Sequence, residues 1–155
     1  MFSKLLKKSL MVEPGGNAAG VGHLILRALT GLMIFYIHGL HKLEGGVAYL
    51  QHGTPWKLAQ EVAEMHFPAP IPSAFAATTV QFICAPLLAL GFATRLNAAL
   101  LTGTLSVAIL QNALSHRDPQ LAILYVIVTT SLVFLGGGQY SIDAKLSVRL
   151  PETKF

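Results

Sequence analysis

The stretch that decides the fold is PSAFAATTVQFICAPLLALGFAT, residues 72–94, which runs for 23 residues without Asp, Glu, Lys, Arg or His. An α-helix needs about 20 predominantly apolar residues to cross the roughly 30 Å hydrocarbon core of a bilayer. A segment inside lipid must also satisfy its own backbone hydrogen bonds, and a helix does so. The stretch therefore predicts a membrane-spanning helix.

Three more apolar stretches accompany it. Residues 96–115 and 119–142 lack charged residues and histidine for 20 and 24 residues. Residues 23–40 contain Arg27 and His38 near the two ends, where both side chains are expected to snorkel to the lipid headgroups. The four stretches predict an all-α membrane protein, a bundle of four transmembrane helices in one domain of residues 1–155, with spans near 20–41, 72–94, 96–115 and 119–138.

The composition excludes an ordinary soluble domain. Hydrophobic residues make up 53% of the 155-residue chain and charged residues only 12%, whereas soluble domains carry about a quarter charged residues. The net charge is +4. Because Lys and Arg lie at the ends of apolar stretches, they indicate contact with lipid headgroups rather than with nucleic acid. The single cysteine, Cys84, excludes an internal disulfide and a CxxC redox pair.

The distribution of basic residues predicts the orientation. Of the Lys and Arg residues near the spans, eight lie on the side of the two termini and three on the opposite side. By the positive-inside rule both termini are cytoplasmic, which agrees with an even number of spans. Two further helices are predicted. Residues 1–12 form an interfacial helix, and residues 55–67 form an amphipathic helix in the first outer loop. The second helix rests on the membrane, caps the bundle or acts as a lid over a cavity.

Polar side chains inside the spans are candidate functional residues, because a polar group in hydrocarbon is costly unless it meets a partner. At 100° per residue, the charged and titratable residues of the first span share one face about 100° wide. These residues are His23, Arg27, His38, His41 and Lys42. The second span contributes Gln81 and the third contributes Gln111, both neutral.

Several roles remain open for these side chains. Gln111 could form hydrogen bonds between helices that hold the bundle together. His38 and His41 lie one helical turn apart, a spacing that can hold a metal ion or haem iron, but no further metal-binding signature accompanies them. The same pair could instead hydrogen-bond a polar ligand such as a quinone carbonyl, or lie at headgroup level without any chemistry.

Three motifs fall in order at the ends of the predicted spans. The first is an arginine, ten intervening residues and His-Gly-Leu-His-Lys-Leu, starting at Arg27. The second is the Gly-x-x-Thr-Arg turn that ends at Arg95, and the third is Gly-x-Gly-x-x-Ser-x-Asp, which ends at Asp143. Together they resemble the DoxX family of small four-helix bacterial membrane proteins.

The resemblance implies a bacterial inner-membrane protein embedded in the lipid bilayer. Some relatives are the quinone-side subunit of thiosulfate:quinone oxidoreductases, and others are linked to thiol and oxidative-stress responses. It therefore implies an accessory or quinone-contacting subunit, working with a soluble or membrane redox partner or as a homo-oligomer. The chain departs from the family at Gln81 and Gln120, where a glutamate is usual, so two expected proton acceptors are missing.

We expect a cavity between the first three spans, with quinone as the ligand to be tested. The candidate ligand-binding residues are His38, His41, Lys42, Gln81 and Gln111. Arg27, Arg95 and Asp143 are expected to be structural, with Arg95 pairing with Asp143 at the cytoplasmic turn. No residue is assigned to independent catalysis, and only His38 and His41 are candidates for a metal. A structural or assembly protein with no small-molecule site, or a small transporter, is the alternative.

Overall fold

The computed structural model describes residues 16–148, and this part of the chain is helical without any β-strand. The prediction of an all-α protein is confirmed there. Six helices follow one another within these residues: α1 Asn17–His52, α2 Lys57–Glu64, α3 Pro70–Leu90, α4 Thr94–Leu114, α5 Gln120–Leu135 and α6 Ile142–Ser147. The interfacial helix predicted for residues 1–12 lies outside the described residues.

Three of the helices are long and apolar enough to cross a membrane. They are α1, α3 and α4, with 36, 21 and 21 residues. Helix α5 is apolar as well but has 16 residues, which at 1.5 Å per residue corresponds to about 24 Å. Helix α5 packs along α4, and the hydroxyl of Thr102 donates a hydrogen bond to that of Thr129 at 2.8 Å.

Helices α1 and α3 each contain a π-helical segment, Ile34–Leu40 in α1 and Val80–Cys84 in α3. The segment in α3 lies directly before Pro86, which has no N–H to donate to the carbonyl of Phe82, so the regular hydrogen-bond ladder cannot continue through it. A π-helical turn takes more residues per turn than an α-helical one. The side chains that follow it are therefore rotated about the helix axis relative to a regular α-helix.

Helices α1 and α3 touch through glycines. A Cβ added at Gly31 would lie 2.5 Å from the carbonyl oxygen of Ala85, and one added at Gly39 would lie 3.2 Å from that of Gln81. The backbones therefore approach each other closely at both points, as small residues allow in membrane helices. The approach at Gly39 brings the two π-helical segments side by side.

The buried apolar residues form two clusters. The larger one lies in the centre of the bundle and draws on α1, α3, α4 and α5. The smaller one joins α2 to the first turns of α3 and is built around Trp56. The indole of Trp56 stacks on the ring of Tyr49 and packs against that of Phe75, with the centroids of Trp56 and Phe75 4.6 Å apart. Helix α2 therefore rests on the bundle through a small core of its own.

The contact at Gly31 makes a testable prediction for stability. We expect Gly31→Ala to lower the free energy of unfolding by about 1–3 kcal/mol, because the added methyl group overlaps backbone atoms of α3. Gly22→Ala is the matched control, since a Cβ at Gly22 meets no heavy atom within 4 Å. Unfolding in detergent followed by circular dichroism measures both. Equal stability of the two variants would contradict the close approach.

Candidate functional site

A buried arginine organises one end of the bundle, called the Asp143 end below. Arg27 is 1% exposed. Its guanidinium donates hydrogen bonds to the carbonyl oxygens of Gly137 and Tyr140, each at 3.1 Å. The prediction that Arg27 snorkels to the headgroups is wrong, because the loop after α5 covers the side chain and supplies acceptors for it. The charge is thus held inside the protein by backbone carbonyls.

Asp143 joins α6 to the turn between α3 and α4. Its carboxylate accepts hydrogen bonds from the backbone N–H of Ala93 at 2.7 Å, and from the N–H and hydroxyl of Thr94 at 2.8 and 2.7 Å. Its own N–H donates to the carbonyl of Gly91. An acid at the N-terminus of α4 satisfies N–H groups that have no partner within the helix. The expected ion pair with Arg95 is not among those of the described residues, and Arg95 is exposed.

These contacts set the acidity of Asp143. Burial alone raises the pKa of this carboxyl group, but the hydrogen bonds from Thr94 and Ala93 and the charge of Arg27 outweigh it. The pKa of Asp143 therefore lies below its ordinary value, and the carboxylate is ionised at neutral pH. At the Asp143 end the polar side chains are bonded to groups of the protein itself, apart from the Nε of Arg27, and these bonds serve the structure of the bundle.

A cavity of about 270 Å³ lies toward the other end, called the Lys42 end. Four of the residues singled out in the sequence line it, namely His38, Lys42, Gln81 and Gln111. His38, which was predicted to snorkel, lines the cavity instead and meets the ring of Tyr125 edge-on, with centroids 5.8 Å apart. Both His38 and Gln81 belong to the π-helical segments. The irregular turns of α1 and α3 therefore carry two of the polar side chains of the cavity.

Two buried polar atoms in the wall of the cavity lack a partner. Gln81 is 1% exposed and Tyr125 is 4% exposed. Neither the side-chain oxygen of Gln81 nor the hydroxyl of Tyr125 has a hydrogen-bond partner among the described residues. Buried polar groups are normally hydrogen-bonded, so such atoms indicate a place where a ligand or water completes the bonding. The cavity therefore has unused hydrogen-bonding capacity.

His41 does not join this group. Its side chain is 87% exposed and lies 3.9 Å from Glu44 at the surface. The regular helical wheel placed His41 beside His38, but the π-helical segment that ends at Leu40 rotates the residues after it. The pair is therefore not assembled as a two-histidine site. Within residues 16–148 no group of three His, Cys, Asp or Glu side chains is placed to hold a metal ion.

Glu61 of α2 closes the Lys42 end of the cavity. Its carboxylate accepts a hydrogen bond from the side-chain amide of Gln111 and another from the guanidinium of Arg117 at 2.6 Å. Its side chain is only 13% exposed. The bonds tie α2 to α4 and to the turn before α5. Gln111 thus forms the interhelical hydrogen bond that was one of its open roles, and it does so while lining the cavity.

Sequence reasoning missed Glu61, Arg117 and Tyr125 as cavity residues. A signal for Glu61 existed, because it lies on the same face of α2 as the buried Leu58 and Val62, three residues after the first and one before the second. A lone acid on the apolar face of a short helix indicates a specific partner. Tyr125 stands out in the sequence only as one of the polar residues of a largely apolar helix, which by itself does not indicate a cavity.

A sequence model of the DoxX family matches residues 22–117, well over half of the chain. The chain belongs to the DoxX family. No curated protein and no solved structure matches it. The matched part of this DoxX protein runs from the first turns of α1 to Arg117 and includes all four candidate binding residues that line the cavity, His38, Lys42, Gln81 and Gln111. With its apolar helices, the protein is a membrane protein in contact with the lipid bilayer.

The network at the Asp143 end predicts a pH-dependent stability. The lowered pKa means that Asp143 stabilises the fold above the pKa of the unfolded chain, near 3.8, and that this contribution is lost as the pH falls through the folded-state pKa. At pH 7 we expect Asp143→Asn to cost about 1–3 kcal/mol of unfolding free energy, the usual loss for hydrogen bonds to a charged group. The difference from wild type should shrink steadily as the pH falls below 3.8.

Glu44→Gln is the control, because Glu44 is an exposed acid whose side chain is 78% accessible. Chemical unfolding across the pH range measures both variants. A loss for Asp143→Asn that is constant with pH, or no larger than that of the control, would contradict the assigned role of the carboxylate.

The bonds of Glu61 predict how firmly α2 is held. We expect Glu61→Gln to raise the hydrogen–deuterium exchange rate of amides in Lys57–Glu64 by about tenfold, because losing a charge-assisted bond makes local opening easier. Glu64→Gln is the matched control, an exposed acid on the same helix. Mass spectrometry measures the exchange rates of both variants. Unchanged rates in Glu61→Gln would mean that packing alone holds α2.

Proposed function

We propose that this DoxX protein binds the headgroup of a quinone in the cavity beside His38, as an accessory membrane subunit of a sulfur, thiol or oxidative-stress redox system. The observation that carries the proposal is the pair of buried, unpartnered polar atoms on Gln81 and Tyr125 in the cavity wall. A ligand that brings its own donors and acceptors would complete their bonding. The cavity volume of about 270 Å³ is suited to a single ring with small substituents.

The side chains around the cavity suit both redox forms of such a ligand. A quinone carbonyl only accepts hydrogen bonds, whereas a quinol hydroxyl both donates and accepts. Lys42 donates, while the amide of Gln81, the imidazole of His38 and the hydroxyl of Tyr125 can each take either role. These residues would bind and orient the ring. Electrons would come from a soluble or membrane partner subunit, so the chain is not proposed to catalyse a reaction alone.

The proposal includes four crossings of a bacterial inner membrane with both termini in the cytoplasm. The excess of Lys and Arg on the side of the termini supports this orientation. The packing of α5 along α4 supports a fourth crossing, because a helix of 16 apolar residues held against a spanning neighbour can cross if the bilayer thins locally. In this arrangement the cavity lies in the outer half of the bilayer.

Binding of a tailless quinone tests the proposal. We expect the purified wild-type protein to bind dimethoxymethylbenzoquinone, and His38→Ala to weaken binding by about tenfold, since one hydrogen bond and a wall of the cavity are lost. His41→Ala is the matched control, because its imidazole is exposed and lies outside the cavity. Isothermal titration calorimetry in detergent, with empty micelles as a blank, measures the dissociation constants.

Absence of binding to wild type, or equal binding by the two histidine variants, would refute the quinone site. The structural or assembly role without a small-molecule site would then be favoured. That role predicts that cells carrying His38→Ala and Lys42→Ala together keep every phenotype of the wild type.

A further inference from the structure

A second space adjoins the cavity. It is a groove of about 290 Å³ between α3 and α4, covered at the Lys42 end by α2. Four residues line both the groove and the cavity, namely Lys42, Leu58, Ala108 and Gln111. The two spaces are therefore neighbours that share one wall, and that wall carries the polar groups of Lys42 and Gln111.

Away from this shared wall the groove is mostly apolar, and small residues keep it open. Its floor on α4 runs from Gly103 to Gln111, eight residues or about 12 Å at 1.5 Å per residue. Ala76 and Ala77 of α3 form part of the opposite side. A Cβ added at Gly103 meets no heavy atom within 4 Å. Gly103 and Ala76 are both exposed residues of spanning helices, so the groove opens sideways toward lipid.

An ion pair separates the cavity from a third space. A further space lies at the Lys42 end between α1, α2 and Arg117, and it shares Lys42, Leu58, Glu61 and Arg117 with the cavity. Glu61 and Arg117, bonded to each other at 2.6 Å, stand between the two spaces. A ligand that enters the cavity through this third space would have to break the ion pair, whereas one that enters from the groove would not.

We propose that the groove holds the hydrocarbon tail of the ligand whose headgroup occupies the cavity, so that the ligand enters sideways from the bilayer between α3 and α4. The inference rests on the proposed function and narrows it to an amphiphile with a single tail, of the isoprenoid-quinone class. Beyond the wall shared with the cavity, the only polar residues lining the groove are Ser73 and Thr104, whose hydroxyls are bonded to backbone carbonyls. A polar end and a mostly apolar remainder match a polar ring continued by a hydrocarbon chain.

The tail gains little hydrophobic free energy by moving from lipid into the groove, because lipid chains are equally apolar. Its contribution is packing against the walls and a fixed direction for the headgroup. A bulky side chain in the groove should therefore weaken binding of a tailed ligand by steric conflict and leave binding of a tailless ligand unchanged. This difference separates the tail groove from the headgroup cavity.

The test compares two probes on one substitution. In nanodiscs we expect Gly103→Phe to weaken binding of the decyl derivative of dimethoxymethylbenzoquinone by about tenfold, and binding of the tailless compound by less than about twofold. Gly22→Phe is the matched control, because Gly22 also has open space around it but lines neither space. Calorimetric titration, with protein-free nanodiscs as a blank, measures the affinities.

Retained binding of the tailless probe shows that Gly103→Phe is folded. Ala76→Leu, on the opposite wall, provides a second and milder obstruction that should act in the same direction. The tail groove is refuted if both variants bind the decyl compound as tightly as wild type, or if they lose affinity for both probes equally. In either case, His38-dependent binding of the tailless probe by the wild-type background still supports the headgroup site. If wild type binds neither probe, the proposed function fails and the tail groove fails with it.

Discussion

The structure depends on one constraint: a polar group buried in an apolar bundle must find its hydrogen bonds within the protein or from a ligand. At the Asp143 end this requirement dictates the fold. The loop after α5 turns over Arg27 because its carbonyls are acceptors for the guanidinium, and α6 begins where Asp143 can reach the first amides of α4. At the Lys42 end the same requirement is left unmet at Gln81 and Tyr125. The Nε of Arg27 also lacks a partner among the described residues, but its guanidinium is bonded twice to backbone carbonyls, whereas Gln81 and Tyr125 line a cavity that could hold a ligand.

The unsatisfied cavity is produced by the irregularity of its helices. Two regular α-helices in close contact at Gly31 would continue to pack small residues against each other. Instead both become π-helical around His38 and Gln81, and Gly39 lets the two segments meet. Such segments are frequent at functional sites in membrane and soluble proteins, because they turn side chains out of the regular register. Gln81 gives the cavity a neutral hydrogen-bonding group at this position.

The sequence predicted the apolar helices, the existence of a loop helix and four residues of the cavity, because hydropathy and the cost of buried polar groups act on local stretches. It could not predict the exclusion of His41, since a helical wheel assumes a constant angle per residue and π-helical segments break that assumption. It also placed Arg27 at the headgroups, because the carbonyls that bury it come from residues more than a hundred positions away. Tyr125 was missed for the same reason, because its importance comes from tertiary neighbours, whereas Glu61 was missed although its own helix carried a signal.

Helix α2 was predicted to rest on the membrane, cap the bundle or act as a lid, and its contacts favour the cap. At its start, Trp56 is 5% exposed and fits over Gly45 and Gly46, where a Cβ would lie 2.8 and 3.2 Å from the indole. One turn further on, Glu61 is bonded to two other elements. A helix held by packing at one end and by hydrogen bonds to a carboxylate in its middle does not open easily as a lid, because opening breaks both sets of contacts together. The groove between α3 and α4 needs no such opening, since Gly103 and Ala76 on its two sides are small and exposed. A fixed cap and an open side together favour exchange of the ligand with the bilayer.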